Sequence, residues 1–159
     1  MDTQKKLQLT EFIRICNQAD EICHNYAKAH GLSGTAFYIL YSLVDSNMPL
    51  TQRELCRKWA YPRQTVNSAL KTLKKQGVIE LRFSPDNQKS KEIHLTEKGL
   101  HIAEEIIAPF IKADSSAFAS LSQEECTVLL SALQKYNSNL TLGLKSMPIR
   151  SPAERIHTN

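Results

Sequence analysis

Apolar positions along the chain change spacing several times, and each change marks an element. Over residues 3–30 they fall at Leu7, Leu9, Phe12, Ile13, Ile15, Cys16, Ala19, Ile22, Cys23, Tyr26 and Ala27. That spacing is helical, with a stripe wide for a first helix. Gly31 stops it. Ser33 or Thr35 caps a second helix reaching about Asp45, with Ala36, Ile39, Leu40 and Leu43 facing inward. The string SNMP at 46–49 breaks the chain, and residues 48–50 suit a very short strand. TQRE at 51–54 has the form of a capping box, with Thr51 as the cap and Glu54 reaching back. It opens a short third helix that ends near Trp59.

The next segment, PRQTVNSALKTLKKQG at 62–77, organises the rest. Pro62 suits a first helical position and Gly77 a C-terminal cap. Val66, Leu70 and Leu73 recur at i, i+4 and i+7 with Ala69 beside them, a narrow apolar stripe. The opposite side holds Gln64, Ser68, Lys71 and Lys75, flanked by Thr65, Asn67 and Thr72, and carries no acid. An ordinary solvated surface helix has some of these features. So does a helix shaped for a DNA major groove, with amides, hydroxyls and cations along one edge. A short capped helix lies before it across a tight turn, which makes the pair a helix-turn-helix.

After Gly77 the period falls to two. Val78, Ile79, Leu81 and Phe83 form one strand-like run, and Ile93 and Leu95 another. Between them SPDNQKSK supplies a polar turn with Lys89 and Lys91 near its tip. A basic hairpin directly after a helix-turn-helix defines a winged helix. Thr96 caps the next helix, in which Pro109 predicts a kink or break. Ser122 caps a last helix with Val128, Leu129, Leu133, Tyr136 and Leu140 along one side. The tail from Met147 has two prolines and few apolar residues, so residues 147–159 are expected to be mobile.

The expected class is therefore mainly α with a small β hairpin: a winged helix-turn-helix over residues 31–96, flanked by dimerisation helices at 1–30 and 97–146. Wide apolar faces on the first and last helices are better buried against a second copy than by one short partner.

Charge sharpens this picture. The chain of 159 residues has a formal charge of +4. Residues 51–100 hold eleven Lys/Arg against five Asp/Glu, a net +6, and the remainder is net −2. A basic middle on a mildly acidic scaffold points to a polyanion partner.

The sequence carries no Gly-rich phosphate loop, nucleophile elbow or metal-ligand motif, which argues against an enzyme and against a cofactor. No apolar run approaches a membrane span, and no signal peptide is visible at the N-terminus, so a cytoplasmic location with reduced cysteines is expected. Cys16, Cys23, Cys56 and Cys126 form no C-x-x-C. His24, His30, and the pair His101 and Glu105 make no tight ligand cluster.

TQRELCRKW, YPRQTVNSALKTLKKQGVIELR, DNQKSKEIHLT and TEKG, in this order, resemble the MarR family of bacterial transcriptional regulators. The resemblance is specific through residues 50–99 and architectural in the terminal helices. It implies a homodimer binding a pseudo-palindromic operator on double-stranded DNA, most often as a repressor. By position it implies Arg63, Gln64, Thr65, Asn67, Ser68 and Lys71 as groove-facing residues, with Lys75 on phosphate. In the wing it implies Arg82, Asn87, Lys89 and Lys91. Lys89 stands where the family usually has Arg and Asn87 where it often has Asp, with Asp86 nearby to brace the tip.

Release by a small effector or an oxidant is the further expectation. Tyr26, Phe37, Tyr38 and Tyr41 are candidate walls of an effector cleft, though aromatics at helical spacing also serve as plain core. Some members of the family sense oxidants through a cysteine in the first helix, which singles out Cys16 and Cys23. Both also read as small buried hydrophobes.

Overall fold

The computed structural model describes residues 2–84 and 87–148, and at 87–89 the backbone alone. Its elements are α1 (Thr3–Ala29), α2 (Gly34–Ser46), β1 (Leu50–Thr51), α3 (Gln52–Trp59), α4 (Arg63–Lys75), β2 (Ile79–Ser84), β3 (Asn87–Leu95), α5 (Glu97–Ile102), a π-helical turn (Ala103–Ile107), α6 (Ala108–Ala119) and α7 (Gln123–Lys145). Asp86 and the tail from residue 149 lie outside the described residues, so the bracing role of Asp86 and most of the expected tail do too. The chain divides after Asp114 into two compact units.

The core of the first unit forms around α2. Phe37, Ile39, Leu40 and Leu43 of that helix meet Leu55 of α3 and Val66, Leu70 and Leu73 of α4. Val78, Ile79, Ile93 and Ile107 complete it. Burial of each such side chain contributes roughly 1.5–3 kcal/mol, and the α4 stripe is the one its periodicity predicts. Ser42, buried among them, donates to the Tyr38 carbonyl at 2.8 Å and accepts the Trp59 indole N–H at 2.6 Å, so its polarity is satisfied.

Local chemistry sets most boundaries. Asp2, Ser33, Thr51, Thr96 and Ser122 each accept a backbone N–H of the first turn they cap. Pro62 is the N-cap of α4 rather than its first helical residue, and it offers no side-chain bond. Gly77, at φ +69°, ends α4 in the left-handed region. There Gly77 N–H reaches the Lys74 carbonyl at 3.0 Å and Val78 N–H reaches the Leu73 carbonyl at 2.9 Å, a Schellman motif.

The hairpin gains a third strand. β1 pairs with β3, giving an antiparallel sheet of order β1-β3-β2, and the short strand is Leu50–Thr51 rather than 48–50. At Pro109 the expected break takes another form. Pro109 has no N–H to continue the α pattern, and just before it the helix widens into the π turn, with Ala108 N–H bonding the Ala103 carbonyl.

The second unit contains α7, closed at its start by the reciprocal Ser122–Glu125 box. No residue of α7 is buried. Among the described residues no helix is long and apolar enough to cross a membrane.

Candidate nucleic-acid interface

The interface is built from the start of α3 upward. Glu54 accepts the Thr51 backbone N–H at 2.7 Å and its hydroxyl at 2.8 Å, which holds the carboxyl below its usual range and fixes the first turn. From that turn Gln52 Nε2 donates to the Arg63 carbonyl at 3.0 Å, bracing the entry of α4. Lys58 reaches Asp45 at 2.8 Å and ties α3 back to α2. At the far end of α4, Thr96 Oγ1 donates to the Gly77 carbonyl at 2.6 Å and Lys98 Nζ to the Gln76 carbonyl at 3.0 Å. α4 is thus held at both ends by groups outside it.

Its solvent side divides into two edges. Arg63, Asn67, Lys71 and Lys74 line a groove of about 680 Å³ that runs between α3, α4 and the sheet. Gln64, Thr65, Ser68 and Lys75 are also exposed but stand off that groove. Across it stand Thr51, Gln52, Arg53 and Cys56 from the α3 side, and Leu81, Ser90, Lys91 and Ile93 from the sheet. Among the described residues, Arg53, Arg63, Lys71, Lys74 and Lys91 put five cations on its walls and no carboxylate lines it. Five like charges around one groove repel one another, and a row of phosphates relieves that repulsion.

Arg82 is not part of this set. Cross-strand partners Leu81 and Ile93 share the groove face of the sheet, so the alternation turns Arg82 to the other face. There it is ion-paired with Glu80, and Glu92 lies 3.4 Å from His94. Arg53, Gln52 and Ser90 were not visible as groove residues in the sequence. They come together only because β1 and the capping box seat the start of α3 beside β3. The side chains of Asn87 and Lys89 lie outside the described residues.

The four aromatic residues expected to form a cleft do meet. Phe37 is fully buried, with ring centroids 6.0 Å from Tyr26, 5.5 Å from Tyr38, 6.4 Å from Tyr41 and 4.9 Å from Phe110. Tyr26 donates to the Ile106 carbonyl at 2.8 Å, and Tyr41 to Asp114 at 3.2 Å. Burial and that carboxylate push the Tyr41 phenol up to about 12. Tyr38 also lines a smaller hollow of about 350 Å³ with Asp20, Glu21, Cys23, His24, Gly34 and Tyr61. Burial, with Cys23 beside it, raises the Tyr38 phenol well above its usual range. Cys16 is exposed rather than buried. It is seven helical residues, about 10.5 Å, from Cys23, too far for a disulfide within one chain. Among the described residues no group of three or more His, Cys, Asp or Glu side chains is placed to hold a metal.

Two antiparallel strands and a braced helix-turn-helix define the first unit as a winged helix. Residues 30–90 match the MarR family. The HTH-type transcriptional regulator SarZ of Staphylococcus haemolyticus (strain JCSC1435) is 26% identical over 117 residues, spanning 72% of this chain and 76% of its own. NMB1585, a MarR family regulator from Neisseria meningitidis, superposes with a TM-score of 0.70 at 25% identity, over 91% of this chain and 98% of its own. A Listeria monocytogenes protein described as a MarR family transcriptional regulator, solved with 26mer DNA, gives 0.65 at 27% identity over 90% and 97%. In its winged-helix sequence and its fold, the chain is similar to regulators of the MarR family.

Proposed function

We propose that the protein binds double-stranded DNA in a sequence-specific way and regulates transcription, acting as a repressor on a pseudo-palindromic operator. The observation that carries this is the groove along the exposed side of α4, whose described lining holds five cations and no acid. α4 enters the major groove, and Arg63 and Gln64 read base edges with Asn67 and Ser68 assisting. Lys71, Lys74, Lys75 and Lys91 hold phosphates, as does Arg53. Arg82 serves the wing through its pair with Glu80 rather than through the groove.

The active species is a homodimer. α1 leaves Leu7, Ile13, Ile15 and Ile22 exposed, and α7 leaves Val128, Leu129, Leu130, Leu140, Leu142 and Leu144 exposed. Release belongs to the region where Tyr38 and Cys23 share a hollow beside the aromatic cluster, through a small apolar effector or oxidation of the thiol. The residues 1–30 and 97–146 then serve dimerisation while 31–96 serve DNA.

Selection of bound duplexes from random DNA with the purified protein tests the reading. It predicts an enriched palindrome with half-sites about 10 base pairs apart. Enrichment of no motif at all would sink it.

A further inference from the structure

Resting on the DNA-binding reading above, this inference concerns Phe83. The sheet register pairs Ile79 with Leu95, Leu81 with Ile93 and Phe83 with Lys91. Directly opposed residues share a face, and alternation puts Ile79, Leu81 and Phe83 on the same one. Leu81 and Lys91 both line the basic groove. Phe83 therefore stands on the groove face of the wing, one pair further out. Along this row burial falls steadily. Ile79 is buried, Leu81 half-buried, and Phe83 is 64% exposed.

The ring is also positioned. Lys91 Nζ lies 5.1 Å from its centroid, so a cation is held over one face. Immediately beyond, the register slips between Phe83 and Ser84, an irregularity that ends even pairing and re-aims side chains near it. Single exposed hydrophobics are common on surfaces and need no function. This one shares a face with a cationic groove, is paired with a cation and is carried on the element that approaches DNA beside α4. A duplex offers such a residue an apolar target in the minor groove, where deoxyribose walls and base edges accept a ring or a wedge.

We propose that Phe83 is a minor-groove contact of the wing, its ring packing on deoxyribose and base edge while Lys91 neutralises an adjoining phosphate. An aromatic–lysine pair then supplies apolar contact that a wing-tip Lys89 alone does not.

The test uses the full chain and a duplex selected from random DNA. Phe83→Ala is expected to weaken binding tenfold or more with the salt dependence unchanged, because no ion is lost. Lys91→Ala should lower the slope of log K against log salt by about one. Hydroxyl-radical footprints of Phe83→Ala should lose protection at the outer flanks and keep it under α4. Phe83→Trp should retain affinity and change its fluorescence on adding DNA, relative to wild type with Trp59 alone. Wild-type affinity and footprint in a folded Phe83→Ala would overturn the proposal and leave the DNA-binding reading standing. Failure of the wild-type chain to protect any duplex would remove both.

Discussion

Gly99 has the Val78 carbonyl where a side chain would begin: a Cβ built there falls 2.1 Å from that oxygen. The close approach lets Thr96, which accepts the Gly99 N–H at 3.1 Å, also donate to the carbonyl of Gly77 at the end of α4. The helix proposed to read DNA is thus anchored through a position that tolerates no side chain. Gly99→Ala forces Val78 or α5 to shift. It should cost about 1–3 kcal/mol or more, as overpacking does, seen as a lower urea midpoint with an unchanged slope. A midpoint equal to wild type would show that the contact yields freely.

The Thr51–Glu54 box gives acid stability a definite sign. Glu54 titrates below its ordinary value near 4.5 because the folded chain donates two hydrogen bonds to its charged form. A depressed folded pKa adds stability that is complete above the unfolded value and lost as pH falls through the folded one. Unfolding measured from pH 6 downward should therefore lose stability below about 4.5. Glu54→Gln should be less stable at neutral pH and flatten part of that acid limb. An acid limb identical to wild type would mean the box does not persist in solution.

What was readable in the sequence was local. Caps at Thr51, Thr96 and Ser122, the α4 stripe and the stop at Gly77 each depend on residues within a turn or two. Side chains assembled across distance were not. Arg53 and Ser90 reach one groove through the pairing of β1 with β3, which two residues at the end of a loop announce only weakly. The resemblance puts Arg82 among the wing's DNA-binding residues, but the pleat that turns it toward Glu80 follows from register. Gly99 stands in a string recognisable as a helix start, yet its reason is a carbonyl twenty-one residues earlier.

Position along α4 separates affinity from specificity. Arg63 and Lys74 both line the groove, but Arg63 is the first residue of the helix and Lys74 lies in its last turn. Lys74→Ala should weaken binding to all duplexes alike and lower the salt slope by about 0.9. Arg63→Ala should cost roughly 1–3 kcal/mol on a selected operator and much less on random DNA. If Arg63→Ala kept the wild-type ratio of specific to random binding, base reading would have to move elsewhere on α4.

Self-association makes the strongest demand on the second unit. Six large apolar residues of α7, from Val128 to Leu144, are between 42% and 66% exposed. Two copies bring twelve, and covering each contributes on the order of 1 kcal/mol. That sum is comparable to the roughly 4–15 kcal/mol that association costs, before any contribution from α1. Leu129→Glu with Leu140→Glu places charges on one stripe of α7, and neither residue belongs to the hydrophobic core of the first unit. Sedimentation equilibrium should then report a monomer at concentrations where wild type is a dimer, and a palindromic duplex should be bound far more weakly than by wild type. A single half-site should be bound about as before, since α4 and the wing are intact. A variant that sediments as the wild type does, or a wild type that is itself monomeric, would leave these faces without a second copy to cover them, and the dimer would have to be abandoned.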